Sequence, residues 1–182
     1  NSVTLNGSLY RGSKPVMWSP VEKTALAEAE VEYSDHTSVT IFARFTLKQC
    51  PIDGLDGATL IIWTTTPWTM PGNRAMACGA DIDYSALKIT QIKEGSLAKI
   101  GDVICLADAL REDVFAQTGI LAAENIKQFK GAEMTGTIAA HPMAAEGYDH
   151  DVPVLLADYV TTDQGTGFVH IAPGHGPEDF EI

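Results

Sequence analysis

Residues 63–75 read WTTTPWTMPGNRA and place three adjacent hydroxyls, Thr64, Thr65 and Thr66, between Trp63 and Trp68. β-Propensity alone supplies threonines at a strand end, so a structural reading is available. Successive side chains of a strand point to opposite faces, however, and no single packed face uses all three hydroxyls. A hydroxyl buried beside the tryptophans without a partner costs several kcal/mol. A ligand rich in hydroxyls and carbonyls supplies such partners. Pro67 and Pro71 stiffen the loop that follows, and Asn73 adds an amide that both donates and accepts.

A second constellation is GTGFVHIAPGHGPED, residues 165–179. On a strand, Phe168, His170 and Ala172 share one face. A lone strand histidine is more often a hydrogen-bonded structural residue than a catalytic one. His175 follows five residues later, and the two histidines raise the question of a metal. No third ligand stands at a fixed spacing, and neither HExxH nor CxxC occurs. Asp179 has two readings: an acid in the first turn of a helix, or an anchor for an ammonium group. No GxSxG, SxxK or Cys–His context is present, so bond cleavage here points to activated water rather than a covalent intermediate. Cys50, Cys78 and Cys105 are odd in number and lack metal spacing. They read as reduced, small hydrophobes.

The elements that must hold these residues are mostly strands. In AEAEVEY (27–33), glutamates alternate with Ala, Ala, Val and Tyr, which predicts a strand with one wet face. VTIFARFTL (39–47) and ATLIIWTTT (58–66) predict two more, the second apolar enough to be buried on both faces and stopped by Pro67. Further strands are expected at 83–90, 102–107, 152–157 and 165–172. One helix is expected over 106–119, ending at Gly119, with Leu106, Leu110, Val114 and Phe115 on its inner face. Pro177, Glu178 and Asp179 start another, less than two turns before Ile182. That ending reads as a domain excised from a larger chain, and Asn1 in place of an initiator methionine reads as a processed or cut start. The fold class expected is α+β: a strand-rich, closed or nearly closed β-barrel with a few packed helices.

The chain has 182 residues, of which 45% are apolar, enough for one large domain with a real core. No apolar run approaches a membrane span. Twelve basic residues against twenty-four acidic ones give a net charge of −12. Gripping many phosphates needs the opposite sign, so long nucleic acid is not held by this chain alone. The tip of a nucleic acid presented by another domain, or a cationic small group, is compatible with it.

WTTTPWTMPGNRA resembles the threonine-rich signature of the editing domain of isoleucyl-tRNA synthetases, a class I aminoacyl-tRNA synthetase family. GTGFVHIAPGHGPEDF resembles that domain's second signature. KPVMWSPVEKTALAEAEVEY (14–33) resembles the segment by which the synthetase leads into it. The three lie in the family's order and enclose almost the whole chain. The related valyl and leucyl domains carry an arginine within TTRP, where Thr66, Pro67 and Trp68 stand here. Many relatives carry cysteines in the lead-in segment; Ser19 and Glu22 stand there in this chain, so no metal is implied.

The resemblance implies a single editing domain over 1–182, with 1–33 as the lead-in segment and 34–182 as the hydrolytic barrel. It implies hydrolysis of valine misattached to the isoleucine tRNA, and of valyl-adenylate as a second substrate. A pocket that fits isoleucine discriminates against valine by only ~1–3 kcal/mol, a limit usually illustrated with isoleucyl-tRNA synthetases themselves. A second, smaller pocket admits valine and rejects isoleucine. On that pattern Thr64, Thr65 and Thr66 contact the aminoacyl ester and the terminal ribose, and Trp68 walls the pocket. Asn73 supports the loop, His170 bounds the side-chain space, and Asp179 pairs with the substrate ammonium. The partners implied are the aminoacylated 3′ end of tRNA(Ile), its valine moiety and the rest of the parent synthetase, in the cytoplasm or a mitochondrion, with no membrane. No cofactor is implied here, since ATP and Mg belong to the synthetic domain. Rival readings are a non-hydrolytic module that docks the tRNA 3′ end, a valyl-type editing domain, and a metal hydrolase built on His170 and His175.

Overall fold

A computed structural model describes residues 9–35 and 37–182. The expectation about Asn1 lies outside them. The chain divides into two compact units, one of Asn1–His36 with Pro173–Ile182 and one of Thr37–Ala172.

In the first unit, β1 (Trp18–Ser19) pairs with β2 (Thr24–Ala25) in a short antiparallel hairpin. Lys23 takes φ 56° at its turn, and the Ser19 hydroxyl donates to the Glu22 carboxylate. The strand expected over 27–33 does not form. Glu28–Glu30 is a 3-10 turn in which Glu30 Oε2 accepts the Ala27 N–H at 2.7 Å. The alternation there had no buried face to serve: Ala27 and Ala29 are exposed, and Val31 is only half-buried. Without burial, the local preference of Ala and Glu for helical backbone prevails.

The second unit is a nine-stranded mixed sheet. Its strands are β3 (Ile41–Gln49), β4 (Thr59–Thr64), β5 (Ala75–Cys78), β6 (Asp83–Ile92), β7 (Val103–Ala107), β8 (Ile120–Lys130), β9 (Ile138–Ala140), β10 (Asp151–Leu156) and β11 (Phe168–Ile171). Their order is β11-β5-β10-β9-β3-β4-β7-β6-β8. The pairs β10/β5 and β4/β7 are parallel, the rest antiparallel. The expected strand-rich α+β fold with few helices forms, and of the closed or nearly closed barrel it is the closure that does not. Among the described residues no ladder joins β11 to β8, although the sheet curls until β11 lies beside β4. β8 is a polar edge, with Glu124, Asn125 and Lys127 exposed along it, which suits a strand that stays unpaired on one side.

The helix α1 runs over Arg111–Thr118 and ends at Gly119, whose φ of 73° closes it in the left-handed form. It starts later than expected: Leu106 and Ala107 belong to β7, and Asp108–Leu110 is a 3-10 turn. The run ICLA is buried throughout and continues the strand. A second helix, α2 (Pro177–Glu181), belongs to the first unit and has Pro177 and its acids in the expected first-turn places.

Packing fixes where β11 begins. Tyr84, fully buried, donates its hydroxyl to the Gly167 carbonyl at 2.6 Å and accepts the Gly79 N–H at 3.2 Å. Its ring packs on Phe129 and Phe168. Gly167 has φ +83°, and a Cβ there would lie 2.4 Å from the Ala107 Cβ, so only glycine lets the chain enter β11 at this point.

Candidate functional site

The threonine run sits where β4 loses its ladder. Ile41↔Thr64 is the last pair of β3 and β4, and Pro67, which has no N–H to give, opens the 3-10 turn Pro67–Gly72. Thr64 is buried; its Oγ1 accepts the Thr66 N–H at 3.1 Å and lies 3.3 Å from the Thr66 hydroxyl. Thr65 points away and is exposed, and its carbonyl accepts from the Ser38 hydroxyl at 2.6 Å. The hydroxyls of Thr64 and Thr66 therefore form one pair, and that of Thr65 lies apart. Trp68 projects from the turn with 62% of its surface exposed.

Asn73 closes the turn two residues before β5. Because β5 and β11 run antiparallel with Met76↔His170 and Ala75↔Ile171, the Asn73 side chain reaches back to His170. Asn73 is fully buried, and its amide nitrogen donates to the Ala75 carbonyl at 2.8 Å and to His170 Nδ1 at 2.7 Å. The other ring nitrogen, Nε2, lies 2.9 Å from the Thr69 hydroxyl. Thr69 itself donates to the Thr66 carbonyl at 2.9 Å.

These partners assign the histidine tautomer. A carbonyl only accepts, so the Asn73 nitrogen faces Ala75 and His170 Nδ1 must be the acceptor of its second proton. The Thr69 proton is committed to Thr66, so His170 Nε2 carries the ring proton and donates it to Thr69. His170 is held as one neutral tautomer with both nitrogens engaged. Asn73 Oδ1 is buried with no donor among the described residues, a state that costs ~1–3 kcal/mol unless a ligand or solvent supplies one.

Asp179, in α2 of the first unit, has its carboxylate against Gly176, where an added Cβ would be 3.6 Å from the Asp179 Cγ. His175 is exposed in the loop before it. A cavity of about 500 Å³ in the second unit is lined by Ile41, Ile61, Ile104 and Val114 with Arg44 and Asp102, and holds none of the expected site residues. Burial pushes the thiols of Cys78 and Cys105 up to about 12, which suits packing rather than nucleophilic attack. Among the described residues no three His, Cys, Asp or Glu side chains converge as a metal site, and no helix is long and apolar enough to cross a membrane.

The model of the class I tRNA synthetases for I, L, M and V matches residues 2–169. The chain belongs to this family. Among the class I relatives, it is 52% identical over 179 residues to the isoleucine–tRNA ligase of Rhodopseudomonas palustris, covering 97% of this chain and 18% of that protein. It is 49% identical over 180 residues to the corresponding ligase of Gluconobacter oxydans, covering 98% of this chain and 19% of that one. The chain thus spans about a fifth of the length of these synthetases. In fold it is similar to the editing domain of the P. knowlesi cytosolic leucyl-tRNA synthetase, with a TM-score of 0.62, 11% identity, and 78% and 60% of the two chains covered. The P. falciparum counterpart gives a TM-score of 0.52 at 13% identity, over 68% and 44%. The mixed, strand-rich sheet is the architecture shared with these synthetase domains.

The threonine signature missed one member. Thr69 has no sequence signal beyond its place in WTTTPWTMPGNRA, yet it is the residue that meets His170. Its neighbour Thr65 has its hydroxyl outside the network. His141 and His150, which bond the carbonyls of Met70 and Asn73, carried no motif at all.

Proposed function

We propose that the chain is the editing domain of an isoleucyl-tRNA synthetase and hydrolyses the ester that links valine to tRNA(Ile). The observation that carries this reading is the state of His170. A histidine saturated at both ring nitrogens by Asn73 and Thr69 has no lone pair for a nucleophile, a general base or a metal ligand, but makes a rigid wall. A rigid wall is what a size-selective pocket needs. The identity to isoleucine–tRNA ligases favours the isoleucyl over the valyl substrate pair.

In this mechanism a water oxygen attacks the ester carbonyl carbon. The carbonyl–ribose oxygen bond breaks, the leaving ribose oxygen takes a proton, and valine and the tRNA 3′ end depart. The paired Thr64 and Thr66 hydroxyls orient the ester and ribose by donating and accepting hydrogen bonds. Orientation alone contributes several kcal/mol to such a step, with no nucleophilic side chain. The neighbouring ribose hydroxyl assists. Trp68 offers an aromatic surface at the rim. The role of Asp179 rests on the resemblance: an esterified amino acid has lost its carboxylate charge and is a cation, which a carboxylate holds better than free valine.

The test is deacylation of valyl- and isoleucyl-tRNA(Ile) by the synthetase that carries this chain. Rapid loss of valine with isoleucine retained supports the proposal. Binding of the tRNA 3′ end without hydrolysis of either ester returns the docking-module reading.

A further inference from the structure

The turn Pro67–Gly72 is a weak element by itself. Six residues are long for a 3-10 helix, whose hydrogen bonds are poorly aligned, and Pro67 and Pro71 contribute no N–H. The backbone bonds that close its two ends are Thr69 N–H to Thr66 O and Asn73 N–H to Met70 O, each 3.0 Å. Yet Thr69 and Asn73 must be placed closely enough to meet His170 from opposite sides of its ring. Something outside the turn has to hold it.

Two histidines do so from the other side. His141, 2% exposed, donates Nε2–H to the Met70 carbonyl at 2.9 Å and accepts the Met143 N–H at Nδ1 at 3.1 Å. A carbonyl only accepts and an amide N–H only donates, so this ring too has a single neutral tautomer. It is packed by Tyr148 and His150, with ring centres 5.3 and 5.0 Å away, and edge-on to Phe45 at 6.3 Å. His150 Nε2 lies 2.9 Å from the Asn73 carbonyl.

We infer that His141 is a positioning residue of this site: by holding the Met70 carbonyl, with His150 on the Asn73 carbonyl, it sets the turn so that Thr69 and Asn73 reach the two nitrogens of His170. The effect on hydrolysis rests on the function proposed above; the geometry does not. The titratable and charged groups that face His141 are Tyr148 and His150 from the segment leading into β10, and Arg74 from the residue after Asn73. A proton on Nδ1 would oppose the Met143 N–H and place a cation beside Arg74. Acid therefore loosens the turn through His141.

The experiment uses His141→Leu, which removes both hydrogen bonds, and His141→Gln, which keeps a donor for Met70. In the unmodified 182-residue chain, ¹⁵N spectra should show His170 with one protonated and one bare ring nitrogen. In His141→Leu these two signals should move toward each other as the ring exchanges tautomers. In the synthetase carrying that variant, kcat for valyl-tRNA deacylation should fall about tenfold or more with KM little changed. His141→Gln should recover most of both. A folded His141→Leu with unchanged His170 signals and unchanged kcat overturns the inference. If His141→Leu does not fold, pH titration of the unmodified chain decides. The Thr69 and Asn73 amide resonances should follow the protonation of His141, and resonances indifferent to it overturn the inference. A wild-type enzyme that hydrolyses no ester would defeat the proposed function while leaving the spectroscopic result to judge His141.

Discussion

Thr69 and His170 are 101 residues apart in sequence, and their Oγ1 and Nε2 atoms are 2.9 Å apart in space. Because Thr69 gives its own proton to Thr66, it can only accept from the ring, and it thereby selects the tautomer. Replacing Thr69 by Ala should leave a buried ring N–H unpaired, costing ~1–3 kcal/mol locally, and should let the ring tilt. The expected outcome is a lower ratio of valyl- to isoleucyl-ester hydrolysis, with Thr69→Ser close to wild type. A Thr69→Ala enzyme of unaltered selectivity would detach the hydroxyl from the wall.

His170→Ala should open space rather than remove chemistry. Phe168 precedes it on the same face of β11, so the imidazole is the last bulky group before the small Ala172. On the proposed function, isoleucyl-tRNA should then be hydrolysed in the variant alone, with valyl-ester hydrolysis present in both enzymes. Both rates measured on one mutant decide the matter: a parallel collapse would mean that the histidine takes part in bond cleavage.

Much of the frame could be read from the chain, and for a definite reason. β4, β7 and β11 are carried by apolar or β-branched runs whose burial is nearly continuous, and β3, β6 and β10 by such residues mixed with exposed polar ones, so local pattern and tertiary need agree. β5 was missed because Ala75–Cys78 is built of small or flexible residues with no β signal, though all four are buried. β8 was missed because it is an edge, where polar residues are tolerated on both faces. The 27–33 segment shows the converse: its pattern was clean but had nothing to pack on. The site divides likewise. Asn73, His170 and the threonines stood out by type, but the pairings that give them meaning span 97 and 101 residues, and no spacing rule reports a contact set by the β5–β11 ladder.

Asp179→Ala should weaken hydrolysis of the valyl ester by about tenfold to a hundredfold, the equivalent of a charge-assisted bond of ~1.5–3 kcal/mol. Asp179→Asn separates charge from shape. Unchanged deacylation in both variants would leave Asp179 with only its place in the first turn of α2.

Stability should depend on pH through His141. Burial holds its imidazole below the ordinary value of 6.5, and the charges of His150 and Arg74 act in the same direction, while the bond to Met70 opposes them. The unfolded chain therefore takes up the proton first. Its contribution to stability is complete above pH 6.5 and is lost as pH falls from there toward the folded value, with a slope of at most ~1.4 kcal/mol per pH unit. Denaturant unfolding across that window should show the slope in the wild type and a flatter curve in His141→Gln.

The most direct test of the account is a side-by-side deacylation of Val-tRNA(Ile) and Ile-tRNA(Ile) by the wild-type synthetase and its His170→Ala variant. The wild type should cleave only the valyl ester, and the variant should cleave both. A wild type that cleaves neither, or a variant that loses valyl-ester hydrolysis without gaining the isoleucyl one, would contradict it.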